Sequence, residues 1–354
     1  MRVGLHKRPF LGYVPFMRRF EVILDYNGIE HIRVDISKPD FWKQVAELDL
    51  FIFWWGHAYN DRELAFTILP IIENEMKMPC LPNLRTCWMY DDKIREYYLM
   101  KQHGLPIVPC WIFWDKKEAI KWVENASFPA VFKLRGGAGS QNVVLVKSKY
   151  RARKLINKMF GPGMKSGKVP WGSPRWKDFN LQKIIRSWGG NFLRRIRAGN
   201  VSPGWELHKN YVLFQKFLPY NDFDTRVTVI GERAFAFRRH NRTQDFRSSG
   251  SGRIDYDVEA IDKKFLEKSF EISRAMHFQS MAYDGLYDEN MDVNFCEISY
   301  TYLDTAIYNC QGYWDEKLNW HEGHYWPQYF QLMDALKMPD LKQPEIEYFH
   351  ERGL

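Results

Sequence analysis

The sequence predicts an α/β protein built of successive lobes, and three observations predict it. Residues 1–88 alternate short apolar strands with helical stretches, the order that builds a parallel sheet. A glycine-rich loop between two strands fills Ser127 to Ser148, SFPAVFKLRGGAGSQNVVLVKS. Beyond Tyr211 the chain becomes a series of β-strands joined by short polar turns, the pattern of an antiparallel sheet. At 354 residues, two or three lobes are expected rather than one core.

Composition narrows the class. Hydrophobic residues make up 45%, which excludes wholesale disorder, and the 16% aromatic content with 14 Trp suggests stacking surfaces or large apolar anchors. A formal net charge of +8 favours anionic partners: a nucleotide, a phosphorylated substrate, an acidic polymer or nucleic acid. The cysteines, Cys80, Cys87, Cys110, Cys296 and Cys310, are scattered, odd in number and without a C-x-x-C pair. That argues against a disulfide framework and against a cysteine zinc site, and fits a reducing cytoplasm. No signal peptide is read at Met1, and the longest apolar run, Leu48 to Gly56, falls far short of the ~20 residues a membrane helix needs. A cytoplasmic protein without a membrane span is expected.

Taken in order, strands are expected at Arg2–Leu5, His31–Ile36 and Leu50–Trp55, with Phe41–Leu48 the clearest helix between them. His57, Asn60 and Asp61 follow a strand, where α/β sheets bind ligands, but a self-satisfied loop cluster is the simpler reading of them. Asp91 reads as the N-cap of a helix from Asp92 to His103, stopped by Gly104 and Pro106. Lys93 falls in its first turn, where the helix dipole disfavours a cation, so it is either an incidental surface lysine or a group held for an anion. Asp115 and Glu118 form a capping box for a helix over Lys116–Asn125.

The glycine loop comes next. Gly136, Gly137 and Gly139, with Ala138 and Ser140, leave backbone N–H groups free to close over an anion, and Lys133 stands just before them. The loop leads into a strand, so it is neither a P-loop nor a dinucleotide fingerprint, both of which lead into a helix. An ordinary glycine-rich turn is the alternative for this stretch alone. Residues 149–209 read as a long basic insertion, poor in periodic structure, with Trp171, Trp176, Trp188 and Trp205 interleaved. A lid over an anionic substrate, a nucleic-acid surface and a solvated insertion all fit it.

YVLFQKFL is expected as a strand, and DTRVTVI and ERAFAFRRH as two more joined at Gly231. Ile261–Phe278 has an amphipathic helical pattern. Ser280–Leu286 and Val293–Tyr300 then form a hairpin that sets Asp284 opposite Glu297, with Ser299 on the face of Glu297. Facing carboxylates repel unless a cation lies between them, and Mg²⁺ takes one or two carboxylates with phosphate oxygens and water. An exposed acid pair is the alternative. His321 and His324 lack zincin spacing and read as structural. The aromatic tail after Gln311 is expected to pack on the core or on a second subunit.

In this order, the helix-start lysine, strand lysine with glycine hairpin, Gln215-Lys216-Phe217-Leu218, Asp224-Thr225-Arg226, Arg238-Arg239, Asp245-Phe246-Arg247 and the Asp284/Glu297 strand pair resemble the ATP-grasp superfamily over roughly residues 90–305. Ribosomal-protein glutamate ligases and lysine-biosynthesis ligases are the nearest in look. The resemblance implies an ATP-grasp fold: an N-terminal α/β lobe (1–88), a central glycine-loop lobe (89–209), a C-terminal antiparallel-sheet lobe (210–312) and an aromatic tail (313–354). It implies ATP and Mg²⁺, with Mn²⁺ as a substitute.

The resemblance also implies roles. Lys93 and Lys133 neutralise the α- and β-phosphates, and Gly136 to Ser140 fold over them. The hinge Gln215, Lys216, Phe217 and Leu218 pairs with the adenine edge, and Asp222 or Asp224 meets the ribose. Arg226, Arg238 and Arg247 hold the γ-phosphate and an acyl phosphate, while Asp284, Glu297 and Ser299 bind the metal. Ser299 stands where the family has Asn, and Ser248-Ser249 stand where it has Asn after D-F-R, which puts one metal site in doubt. The implied activity joins a carboxylate to an amine, each small or polymer-linked, through an acyl phosphate. Alternatives are a kinase of the same fold acting on a hydroxyl, or a non-catalytic protein binding ATP or an anionic polymer. Nucleic acid, through the basic insertion, and a homo-oligomer remain as further partners.

Overall fold

The computed structural model describes residues 1–7, 14–56, 59–90, 92–137, 142–166, 206–243 and 245–354. Asp91, His57, Ala138, Gly139, Ser140, the side chain of Asn60 and insertion residues 167–205 lie outside them.

The first sheet is parallel, as alternating strand and helix require. It contains β1 (Arg2–His6), β2 (Glu30–Val34), β3 (Leu50–Ile52) and β4 (Cys80–Leu81), ordered β2-β1-β3-β4. Helices α1 (Pro15–Tyr26), α2 (Phe41–Val45), α3 (Tyr59–Pro70) and α4 (Leu84–Cys87) accompany it. Met17, Phe20, Ile23 and Leu24 of α1 are buried at helical spacing, so one face of that helix is apolar. Asp61, from the post-strand cluster, is buried with its carboxylate 3.4 Å from the Gly56 N–H.

The second sheet is antiparallel and carries the glycine loop. Its members are β5 (Cys110–Phe113), β6 (Ala130–Lys133), β7 (Val143–Val146) and β10 (Val212–Lys216), ordered β5-β10-β6-β7. Three helices belong to this part: α5 (Lys93–Gln102), α6 (Lys116–Asn125) and α7 (Lys149–Met159). Asp115 caps α6 as expected, accepting from the N–H groups of Lys117 and Glu118 at 2.8 and 3.0 Å. The cap of α5 is Asp92, which accepts from the Arg95 N–H at 3.1 Å.

The start of the basic insertion is regular, against expectation. Ala152, Leu155, Ile156 and Met159 form a buried stripe on α7, capped by Ser148. The cationic residues between them masked this helical period in the sequence. A short ribbon, β8 (Met164–Lys165) with β9 (Leu207–His208), brackets the undescribed residues.

The third sheet runs β15-β14-β11-β12-β16-β17, with β13 also on β12. These are β11 (Phe223–Ile230), β12 (Arg233–His240), β13 (Ile254–Asp255), β14 (Ser280–Tyr287), β15 (Val293–Ser299), β16 (Gly312–Asp315) and β17 (Trp320–Glu322). Helix α8 (Lys263–Met276) covers one face through Phe265, Leu266, Phe270 and Ile272. Gly231, at φ +55, makes the tight turn between β11 and β12. Asp284 is the register partner of Glu297, as expected.

After α9 (Asp304–Tyr308), the tail joins two regions. Its strands β16 and β17 extend the third sheet, and α10 (Pro327–Leu336) and α11 (Ile346–Glu351) reach the first. Trp326, Leu332, Leu336 and Phe349 share a buried cluster with Val3, Leu5, Phe20 and Ile23. His321 and His324 are exposed and bond Asp315 at 3.2 Å and the Tyr308 carbonyl at 2.9 Å. Among the described residues no helix is long and apolar enough to cross a membrane.

Candidate functional site

The second and third sheets meet along β15. The segment before β5 docks on it, with the Val108 N–H donating to the Phe295 carbonyl at 2.9 Å and the Phe295 N–H to that of Pro106 at 3.2 Å. Lys133 on β6 and Gln215 on β10 both reach across to the Cys296 carbonyl, at 3.3 and 3.4 Å. A cleft of about 250 Å³ opens at this junction.

Most of the expected site residues line this cleft: Lys133, Gln215, Lys216, Phe217, Leu218, Asp222, Asp224, Arg247, Asp284 and Glu297. Val131, Val143, Leu218 and Leu286 supply apolar wall, and Phe217 meets Phe246 edge to face at 5.6 Å between centroids. Such a site suits a flat apolar ring carrying a charged tail. A larger surface groove of about 870 Å³, near Tyr256, Trp314 and Trp320, contains none of the expected residues.

Lys133 is only 7% exposed and forms no ion pair among the described residues. A buried lysine without a carboxylate partner is costly unless an anion completes it. Lys93 reaches the same junction from the start of α5. Its Nζ lies 3.3 Å from Glu297 Oε1 and donates to the Gly137 carbonyl at 3.1 Å. Asp92 ties that helix start to the beginning of the glycine loop by accepting from Arg135 Nε at 2.6 Å. Gly137 has φ +111, a conformation glycine adopts without strain. Lys216, at the cleft's edge, pairs with Glu289 at 2.5 Å.

Strand register then builds a charged quartet. Asp224 and Arg226 are two apart on β11 and share a face; Arg239 of β12 lies opposite Asp224, and Asp284 of β14 opposite Arg226. Arg226 holds Asp284 through both oxygens, Nε to Oδ1 at 2.7 Å and Nη2 to Oδ2 at 2.8 Å. Arg239 holds Asp224 in the same way, at 2.7 and 2.6 Å, and its Nη2 also lies 2.7 Å from Asp284 Oδ2. Burial alone would raise the Asp284 pKa, but Arg226 and Arg239 outweigh it and hold the carboxyl well below the usual range. For Asp224, burial and the nearby Asp284 win over Arg239, and the pKa is raised.

Three of the expected roles meet other partners in the structure. Arg238 faces away from the cleft, because neighbouring residues on a strand point to opposite faces. It pairs with Asp255 at 2.6 Å, and its neighbour Arg239 takes the cleft side. Arg226 is committed to Asp284 rather than left for a phosphate. The expected metal set is brought together, but each member is engaged by another partner. Both Asp284 oxygens accept from guanidinium groups, Glu297 pairs with Lys93, and Ser299 Oγ donates to the Thr301 carbonyl at 2.8 Å. Among the described residues, no group of three or more His, Cys, Asp or Glu side chains is placed to hold a metal ion. These residues do not fit a resident metal. Arg247, expected on a phosphate, does line the cleft, paired with Asp245 at 2.5 Å.

Sequence reasoning missed Arg239 and Glu96. The turn at Gly231 fixes the register of the hairpin, and counting back from it places Arg239 opposite Asp224, so that signal was present. Glu96, on α5, gave none. It is 3% exposed and accepts from the Ile298 N–H at 3.4 Å. Burial raises its pKa well above the ordinary value; Lys93 opposes this and Glu297 adds to it.

The folded protein therefore holds the Glu96 proton more tightly than the unfolded chain, so stability falls as pH rises from 4.5, the unperturbed value, toward the raised one. Glu96→Gln is expected to remove that part of the slope and to leave the neutral-pH protein at least as stable as the parent. Urea unfolding between about pH 4 and 8 measures it, and an unchanged slope would mean that Glu96 is ionised in the fold. The Cys296 thiol, also at the cleft, is pushed up to about 12 by burial, which keeps it from serving as a thiolate nucleophile.

Two antiparallel sheets that meet at a cleft, one of them contributing Lys133 from the paired strands β6 and β7, define the class: the chain has the ATP-grasp fold. Solved structures of that fold match it over most of its length. A RimK domain ATP-grasp protein from Sphaerobacter thermophilus is 11% identical with a TM-score of 0.52, covering 86% of this chain and 93% of that one. The N5-carboxyaminoimidazole synthetase of Staphylococcus aureus is 13% identical with a TM-score of 0.54, covering 94% and 76%. The D-alanine–D-alanine ligase of Bacillus anthracis is 12% identical with a TM-score of 0.51, covering 85% and 86%. No family model and no curated protein matches the sequence.

Proposed function

We propose that this protein is an ATP-dependent ligase that joins a carboxylate to an amine through an acyl phosphate. The observation that carries the reading is Lys133, buried without a carboxylate partner among the described residues, at a cleft that also holds Gln215 to Leu218, Arg239 and Arg247. Ligases and a synthetase among the structures of like fold support it, as does a biotin carboxylase domain solved with MgADP.

In this reading the apolar wall and the Gln215–Leu218 segment take the adenine, and Asp222 borders the ribose. Lys93 and Lys133 lie along the α- and β-phosphates, under the glycine loop. Arg247 faces the transferring phosphoryl group, while Arg226 and Arg239 hold the carboxylates of Asp224 and Asp284 beside it. A carboxylate oxygen of the substrate attacks the γ-phosphorus, and the bond to the bridging oxygen breaks, so ADP leaves with its electron pair. The amine then adds to the acyl carbon, phosphate departs, and the surplus amine proton passes to solvent. Catalysis on this route is positioning and charge neutralisation by fixed cations. The expected metal donors do not fit, so no step is assigned to a metal.

The test is product analysis with ATP, a pool of carboxylates and a pool of amines, in Mg²⁺ and in EDTA. ADP and phosphate should accumulate only when both pools are present. A phosphorylated alcohol formed without an amine would instead make the protein a kinase, and no ADP with any pool would overturn the catalytic reading.

A further inference from the structure

The geometry points to a nucleotide cleft in which two arginines stand where a metal ion would: Arg226 and Arg239 hold Asp284 in place of a divalent cation, and the nucleotide binds without a metal bound to the protein. This inference rests on the nucleotide reading above and deepens it.

The argument starts from the lone pairs of Asp284. A carboxylate offers about four acceptor positions, and three are filled, two by Arg226 and one by Arg239. A Mg²⁺ ion needs an oxygen at about 2.0–2.1 Å in octahedral geometry and tolerates little distortion. To take Asp284 it would have to displace guanidinium contacts of 2.7–2.8 Å inside a site where Asp284 is 5% exposed and Arg239 8%.

Charge argues the same way. Asp224, Asp284, Arg226 and Arg239 sum to zero, and the remaining carboxylate of the expected set, Glu297, is balanced by Lys93 at 3.3 Å. A dication would meet no net negative charge in these six groups, whereas Lys133 adds a cation suited to phosphate. Arg239 is the deciding residue. It bridges Asp224 and Asp284, so its fork closes both carboxylates to a metal at once.

The test is titration of the full-length protein with ADP by calorimetry, once in EDTA and once in excess Mg²⁺. The two dissociation constants should agree within about three-fold. Direct Mn²⁺ titration of the ADP complex should find no ion beyond what ADP itself binds. Arg239→Gln should weaken ADP binding in EDTA by about tenfold and make it respond to Mg²⁺, because Asp224 then loses its guanidinium and Asp284 keeps only the Arg226 pair. Circular dichroism checks that this variant folds; if it does not, the parent protein's EDTA and Mg²⁺ constants decide the matter alone. A tenfold or larger gain in affinity with Mg²⁺ in the parent protein overturns the inference and leaves the nucleotide reading intact. Failure to bind ADP under either condition overturns both.

Discussion

Lys133→Ala is expected to lower ATP-dependent turnover by about 10²–10³-fold, the usual cost of removing one fixed charge from a developing phosphoryl centre. The residue sits at the end of β6, 7% exposed, with its ammonium donating to the Cys296 carbonyl at 3.3 Å. Its charge has no carboxylate to neutralise it among the described residues, so it contributes little to holding the fold together. A buried unpaired charge is a cost to the folded state, and its removal should leave stability unchanged or raise it. Lys133→Met, which keeps the apolar stem, should lose activity equally. Turnover and urea unfolding measured on both variants separate the two effects. Parent-like rates would show that no phosphate approaches this lysine.

The second large effect concerns two adjacent arginines. Arg239→Ala should destabilise the protein by about 3–5 kcal/mol, because it strips a shared guanidinium from two buried carboxylates, Asp224 and Asp284. Arg238→Ala should cost at most about 1 kcal/mol. Its partner Asp255 is about a quarter exposed, and water and salt screen the pair. The contrast follows from strand geometry alone, since neighbours on β12 point to opposite faces. Denaturant unfolding of the two variants side by side measures it. Equal losses would mean that the cleft side of β12 has been misassigned.

Much of the site is legible in the amino-acid sequence. The glycine hairpin is visible as two apolar runs around three glycines, and its strands pair with Lys133 opposite Val143. The polar turn at Asp288-Glu289-Asn290 is enough to bring Asp284 opposite Glu297. The fate of those carboxylates is not legible. Arg226 and Asp284 are 58 residues apart in the chain, and nothing in either local sequence marks them as partners. The same holds for Lys93, which is out of place at a helix start until Glu297 and the Gly137 carbonyl come within its reach.

Local pattern by itself determined the glycine hairpin, the β14–β15 hairpin, the Asp115 cap and the order of the parts, because backbone preference and turn chemistry act over a few neighbouring residues. Tertiary structure decided which face of each strand meets the cleft, and which charges neutralise one another there. A strand has two faces of equal local standing, and only packing against a second sheet distinguishes them. An aspartate that could hold a metal and one held by two arginines have the same neighbours in sequence; what separates them is the cross-strand partner that folding brings within hydrogen-bond distance.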